Sequence, residues 1–186
     1  MVPLSSLFLA VLVTSVAVFV VSSIVHMVLG YHRADYKRLP REDDTMNALR
    51  QDALKPGLYF FPFTTHREMR NPDVLEKFRR GPVAMLTVLP SGPPAMGRNL
   101  GLWFGYTLAV GVFTAYVTGC ALAPGAAPMQ VFRIASSAAF LAYGLGVLPD
   151  SIWKGLPWSN TMRSLLDGVL YALATGAVFA WLWPHA

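Results

Sequence analysis

Four stretches of the chain are apolar at nearly every position, and the polar positions are gathered between them. The apolar runs are Val2 to Gly30, Asn99 to Leu122, Met129 to Leu148 and Thr161 to Trp183. A helix needs about 20 such residues to cross about 30 Å of hydrocarbon, and each run is long enough. Helix is the expected form, because a backbone facing lipid must satisfy its own hydrogen bonds. The first run lacks a positively charged start and a small-x-small cleavage site, and it is longer than the apolar part of a secretory signal. It is therefore expected as a retained helix ending at His26-Met27-Val28-Leu29-Gly30.

The polar interval, residues 31–98, has its own pattern. Glu42 to Leu54 reads as a short helix with Met46, Leu49 and Ala53 on its apolar face, stopped by Lys55-Pro56-Gly57. Leu58 to Phe63 is an aromatic run that suits a strand or a packed loop. Asn71-Pro72 opens a second helix, with asparagine as N-cap and proline at the first helical position. Leu75 and Phe78 give that helix an apolar face, and Gly81 closes it. Val83 to Leu89 reads as a second strand. Two strands alone are marginal, so this unit is expected to lean on the membrane face or on a partner. Pro90-Ser91-Gly92-Pro93-Pro94 is a stiff connector. The expected fold class is thus an all-α membrane protein: transmembrane helix 1 in residues 1–30, a small α+β insert in 31–98, and transmembrane helices 2–4 in 99–186.

Composition supports the membrane reading, with 54% of residues hydrophobic and 13% charged, against about a quarter charged in a soluble domain. Charge then sets an expected orientation. Of the 15 Lys and Arg residues, twelve lie in the interval from Arg33 to Arg98. Lys154 and Arg163 lie at the connection between the third and fourth runs. Ala121 to Pro128 and Met1 to Ser6 carry no charge. Basic loops favour the cytoplasmic side, so the insert is expected there, with both termini outside. Arg133 is the exception, placed to snorkel from the outer end of helix 3. Trp103, Trp153, Trp158, Trp181 and Trp183 fall where headgroup-level anchors would stand. The basic interval also holds eight acidic residues, which argues for membrane-surface attraction and against nucleic acid. Cys120 is the one cysteine; it sits inside an apolar run and reads as a small packing residue.

Candidate chemistry is sparse. Asp150 and Lys154, and Arg163 and Asp167, stand at i,i+4 spacing, where side chains on a helix meet. They read either as two structural ion pairs or as a charged cluster beside an ion pathway. His26 and His32, with Asp35 or Glu42, could form a metal site, but they are weak candidates, because residues six apart do not share a face of a continuous helix. His66 and His185 stand alone. No nucleophile motif, phosphate loop or dinucleotide fingerprint is visible, and no cofactor is expected. Small residues, among them Gly144, Gly168, Ala172 and Gly176, predict close helix packing.

Several segments together resemble a family of small bacterial inner-membrane proteins without an assigned activity. They are His26-Met27 with His32-Arg33-Ala34-Asp35-Tyr36, Leu39-Pro40-Arg41-Glu42-Asp43, Gly81-Pro82-Val83 with Pro94-Ala95-Met96-Gly97, Asp150 through Trp158, and Asp167-Gly168. The resemblance implies a bacterial inner-membrane location and nothing about activity. The expected function is a non-catalytic membrane subunit that packs against itself or into a larger complex. A transporter or channel using the Asp150/Lys154/Arg163/Asp167 group comes second, and a redox or metal-binding subunit third.

Overall fold

The computed structural model describes residues 1–185. The chain divides into two compact units, residues 1–37 with 95–186, and residues 38–94. Four helices are long and apolar enough to cross a membrane: Leu4–Leu29, Met96–Ala121, Pro128–Lys154 and Trp158–Trp181. They match the four apolar runs within a few residues, except that the third continues past Leu148 to Lys154. The boundary of the helical unit also differs from the composition-based one. Residues 31–37 are polar, yet they belong to the helical unit.

The smaller unit contains helix α2 (Glu42–Gln51), strand β1 (Gly57–Phe61), helix α3 (Pro72–Arg80) and strand β2 (Ala84–Val88). The strands pair antiparallel with Tyr59 opposite Leu86. The Asn71 side chain accepts a hydrogen bond from the Asp73 amide at 2.9 Å, which caps α3 as its sequence predicts. Phe60 of β1 lies 6.4 Å from Phe78 of α3, centroid to centroid, so α3 covers the sheet. No residue of either helix is fully buried, and Leu58, Phe63 and Leu89 are exposed.

The helical unit is built from α1 (Phe8–Ile24), α4 (Met96–Ala121), α5 (Pro128–Tyr143), α6 (Leu148–Lys154) and α7 (Trp158–Trp181). Going round the bundle, α1 packs on α4, α4 on α5, α5 on α7 and α7 on α1. At the end that carries both termini, Leu7, Ala10, Val131, Ala135 and Phe179 are fully buried. The Val2 amide donates to Gly119 O at 2.8 Å and the Gly125 amide to Pro184 O at 2.9 Å, which ties the chain ends to the α4–α5 turn. Cys120 differs from its expected packing role: it is exposed on the outer surface of α4.

Helix α7 meets α5 through glycine. A Cβ on Gly168 would stand 2.6 Å from Gly144 Cα and 2.9 Å from the Tyr143 carbonyl carbon. Backbone thus lies on backbone, which only small residues permit. This contact fixes the position of Asp167, the residue before Gly168, against the C-terminal end of α5.

At the end opposite the termini, two of the long helices are irregular. After α1, Val25–Leu29 widens into a π-helical turn, Gly30 turns left-handed at φ 62°, and Tyr31–Asp35 forms a 3-10 turn. After α5, Gly144 and the 3-10 turn Leu145–Val147 lead into α6, which carries Pro149 in its first turn. Non-helical backbone within a span is tolerated where it is covered by protein or lines a cavity, and π turns recur at functional sites. Both breaks occur where the chain carries its clustered polar residues.

Candidate functional site

Between these breaks lies a cleft of about 410 Å³, lined by His26, His32, Asp35, Tyr36, Trp103, Tyr106, Ala142, Tyr143, Val147, Ser164, Asp167 and Tyr171. It belongs entirely to the helical unit. One wall is the segment Val25–Asp35 and the others are α4, the α5 break and α7.

His32 is the centre of the polar wall. Its Nδ1 lies 2.6 Å from Asp35 Oδ2 and its Nε2 lies 2.8 Å from Asp167 Oδ2. Ionised carboxylates only accept, whereas a neutral imidazole has one N–H donor. Two carboxylates facing one ring therefore require a proton beyond that of neutral imidazole, on His32 or on a carboxyl. Tyr31 donates its hydroxyl to the other oxygen of Asp167. Burial, then that hydrogen bond, then the charges of Asp167 and Asp35 push the Tyr31 phenol well above its ordinary range, so it remains a donor.

Asp35 is fixed from its far side. Arg163 Nη1 donates to Asp35 Oδ1 at 2.6 Å, and Asn160 Nδ2 donates to the Asp35 carbonyl at 3.1 Å. Burial opposes ionisation of Asp35, but the hydrogen bonds from His32 and Arg163 and their charges outweigh it and hold the carboxyl below the usual range. Asp35 is therefore an anion at neutral pH, and it orients His32 through Nδ1. The chain His32–Asp35–Arg163 joins the 3-10 turn to α7. The pairs are part-buried, so removing one member costs less than the roughly 3–5 kcal/mol of a fully buried pair, and Asp35 keeps one partner when the other is lost.

His26 stands beside His32, their ring centroids 4.5 Å apart. The objection that residues six apart face different ways holds for a regular helix, and it fails here because the helix is not regular. The π turn shifts the angular position of His26, and left-handed Gly30 folds the following turn back. A ligand atom from each of His26, His32 and Asp167 lies within 4.8 Å of the other two. Gly30→Ala tests how the turn positions the histidines. Its φ of 62° suits glycine, and a Cβ would come 3.4 Å from Arg33 Nε. A left-handed alanine costs about 1–2 kcal/mol. We expect Gly30→Ala to lower thermal stability in detergent and to broaden or shift the His32 ring resonances; an unaltered His32 spectrum would mean the turn does not set the ring.

The remaining walls are aromatic. Trp103 lies 6.0 Å from Tyr171 and 6.3 Å from Tyr143, and Tyr143 lies 5.6 Å from Tyr171, all between ring centroids. Trp103 also donates to Ser22 Oγ at 2.9 Å, which anchors α4 on α1. The hydroxyls of Tyr143 and Tyr171 are buried and have no hydrogen-bond partner among the described residues. An unpaired buried hydroxyl costs about 1–3 kcal/mol.

The four charged residues read as a cluster from the sequence are divided. Asp150 and Lys154 pair with each other at 2.6 Å, about half exposed, and neither lines the cleft. Arg163 turns to Asp35, and Asp167 turns to Tyr31 and His32, so the i,i+4 spacing of Arg163 and Asp167 is used by neither. The tryptophans divide too. Trp153, Trp158 and Trp181 are exposed. Trp103 and Trp183 instead face protein, and Trp183 is buried with its indole N–H on Ala123 O at 3.0 Å. Each finds an internal acceptor.

Tyr31, Tyr143 and Tyr171 were not readable as site residues, because their roles depend on contacts across the bundle; Asp35 was readable only as a possible companion of the two histidines. A signal was present in Gly30-Tyr31-His32 after an apolar run: glycine there is a helix stop, and it breaks the helical spacing between the two histidines. Comparison with protein-family models, with curated proteins and with solved structures finds no match.

Proposed function

We propose that this is a membrane protein that binds a divalent first-row transition metal ion, of the Zn²⁺ or Fe²⁺ kind, at one end of its four-helix bundle. The ligands would be His26, His32 and Asp167, with Asp35 and Arg163 as the support behind them. The observation that carries this is the double contact of His32, with one ring nitrogen held by Asp35 and the other aimed at Asp167 beside His26. Metal-bound histidine commonly donates its second N–H to a carboxylate in this way, which fixes the ring and raises its basicity. Metal–ligand bonds near 2.0–2.1 Å place neighbouring ligand atoms about 3.3 Å apart. The 2.8 Å separation of His32 and Asp167 needs only a small opening. Two imidazoles and a carboxylate suit zinc or iron, and three protein ligands leave a position open toward the cleft.

Histidine and carboxylate ligands bind a metal ion in their deprotonated forms, so binding weakens as pH falls. Zinc titration of the purified protein at neutral pH tests the site. Asp35→Asn should weaken zinc binding by about 10–100-fold while leaving all three ligands in place, the usual cost of losing a supporting carboxylate. Unchanged affinity in that variant would remove Asp35 from its orienting role.

The four apolar helices support multi-pass membrane insertion, and the basic interval supports a cytoplasmic insert with both termini on the other side. In a Cys120→Ala background, His66→Cys should be labelled by an impermeant thiol reagent from the cytoplasmic face alone. Labelling from the opposite face would reverse the orientation.

A second reading, association with another subunit or with the membrane surface, is favoured by the insert. Phe63 is 82% exposed and, with Leu58, Phe60 and Met85, lines an apolar hollow on that unit. Phe63→Ser should weaken co-purification of stoichiometric subunits or vesicle binding of the insert. If both are unaltered, that hollow plays no part in association.

A further inference from the structure

A second cavity runs along the outside of the bundle. It is a groove of about 670 Å³ between α4 and α5, and its lining is apolar apart from a few hydroxyls and Arg133. Four of its lining side chains, Ala109, Ser137, Ala138 and Ala142, are small, which leaves room between the two helices. Tyr106 and Ala142 line both the groove and the polar cleft, so the two cavities adjoin. From Tyr106 to Val117 the groove follows α4 for about 16 Å at 1.5 Å per residue. It lies on two helices long and apolar enough to cross a membrane, so in a bilayer its open side faces hydrocarbon.

We infer that groove and cleft together bind a single-chain amphiphile, its hydrocarbon chain in the groove and its polar head in the cleft. The head chemistry follows from what the cleft offers. Tyr143 and Tyr171 line the cleft and are more than nine-tenths buried, and their hydroxyls have no partner among the described residues. Tyr106 is already committed, donating to Ala142 O at 3.0 Å where the cavities join. Free phenolic donors and a metal ion with an open position both favour an acceptor oxygen. The head is therefore a carboxylate, carbonyl or phosphate group. A soluble ligand of the same head chemistry would use the cleft alone and leave the groove unexplained. Lipid origin accounts for both cavities, and the assignment of the head rests on the metal-binding reading above.

The test uses the full-length protein in nanodiscs with a photoactivatable fatty acid carrying a mid-chain diazirine, followed by peptide mapping of the adducts. Adducts should concentrate on Ala109, Ser137 and Ala138 and be displaced by excess unlabelled fatty acid. Ser137→Trp, which fills the groove from an exposed position, should cut this labelling at least several-fold. Val112→Trp, on the exposed face of α4 outside the groove, should not. Zinc binding is measured on the same samples. Ser137→Trp protein that still binds zinc but is not labelled in the groove supports the inference. Labelling spread evenly over every lipid-facing helix, undiminished in Ser137→Trp, means annular lipid only and overturns it. Saturable groove labelling in a wild-type protein that binds no zinc keeps the chain site and removes the metal contribution to the head. Displacement by inorganic phosphate or acetate as effective as by fatty acid would overturn the lipid origin.

Discussion

His32→Ala protein is expected to bind zinc about 100- to 1,000-fold more weakly than the wild type while keeping its helical content. Zinc sites with four protein ligands are worth about 10–16 kcal/mol, or about 2.5–4 kcal/mol for each ligand, and each 1.4 kcal/mol is a factor of ten. Loss of the fold is not expected, because the groups left behind remain paired. Asp35 keeps Arg163 at 2.6 Å and Asp167 keeps the Tyr31 hydroxyl. Calorimetric zinc titration together with circular dichroism separates the two effects. Wild-type affinity in the variant would show that His32 is a structural bridge only, and an unfolded variant would show that the bridge carries the helical unit.

The opposite pattern is expected at Gly168. Gly168→Leu should prevent the helical unit from assembling at all, seen as aggregation on size-exclusion chromatography or a large fall in thermal stability in detergent. Its Cβ would stand 2.6 Å from Gly144 Cα and 2.8 Å from Gly144 N. Both are backbone atoms that cannot swing aside. Overpacking in a compliant core costs about 1–3 kcal/mol, and here α5 and α7 must separate along the seam that holds Tyr143, Asp167 and Tyr171. Gly168→Ala should show the same effect in smaller degree. A Gly168→Leu protein that melts like the wild type would mean that α5 and α7 do not meet at these glycines.

The contrast between these two positions shows what sequence could and could not reveal. Gly144, Gly168 and Gly176 announce close packing by their size alone, and a Cβ on Gly168 or Gly176 would collide with backbone of Gly144 or Phe132. The spans were legible because apolar length is a local property, and α3 was legible because Asn71, Pro72 and Gly81 are local signals. The cleft was not. Arg163 and Asp167 have the spacing of a helical ion pair, but each finds a better partner on the turn after α1. That turn lies more than 120 residues earlier in the chain, and no local pattern encodes the contact. His26 and His32 read only as weak metal candidates on the geometry of an ideal helix, and the π turn and Gly30 replace that geometry. Residues 31–37 look like the start of a polar insert because they are polar. They fold with the helices because Tyr31, His32 and Asp35 are bonded to α7.

The most direct measurement is the number of zinc ions retained per chain after the purified protein is loaded with excess zinc at neutral pH and freed of unbound metal by gel filtration. We expect about one ion per chain in the wild type and none in a His26→Ala/His32→Ala/Asp167→Asn variant of equal helical content. Equal retention by both proteins, or by neither, would contradict a metal site at His26, His32 and Asp167.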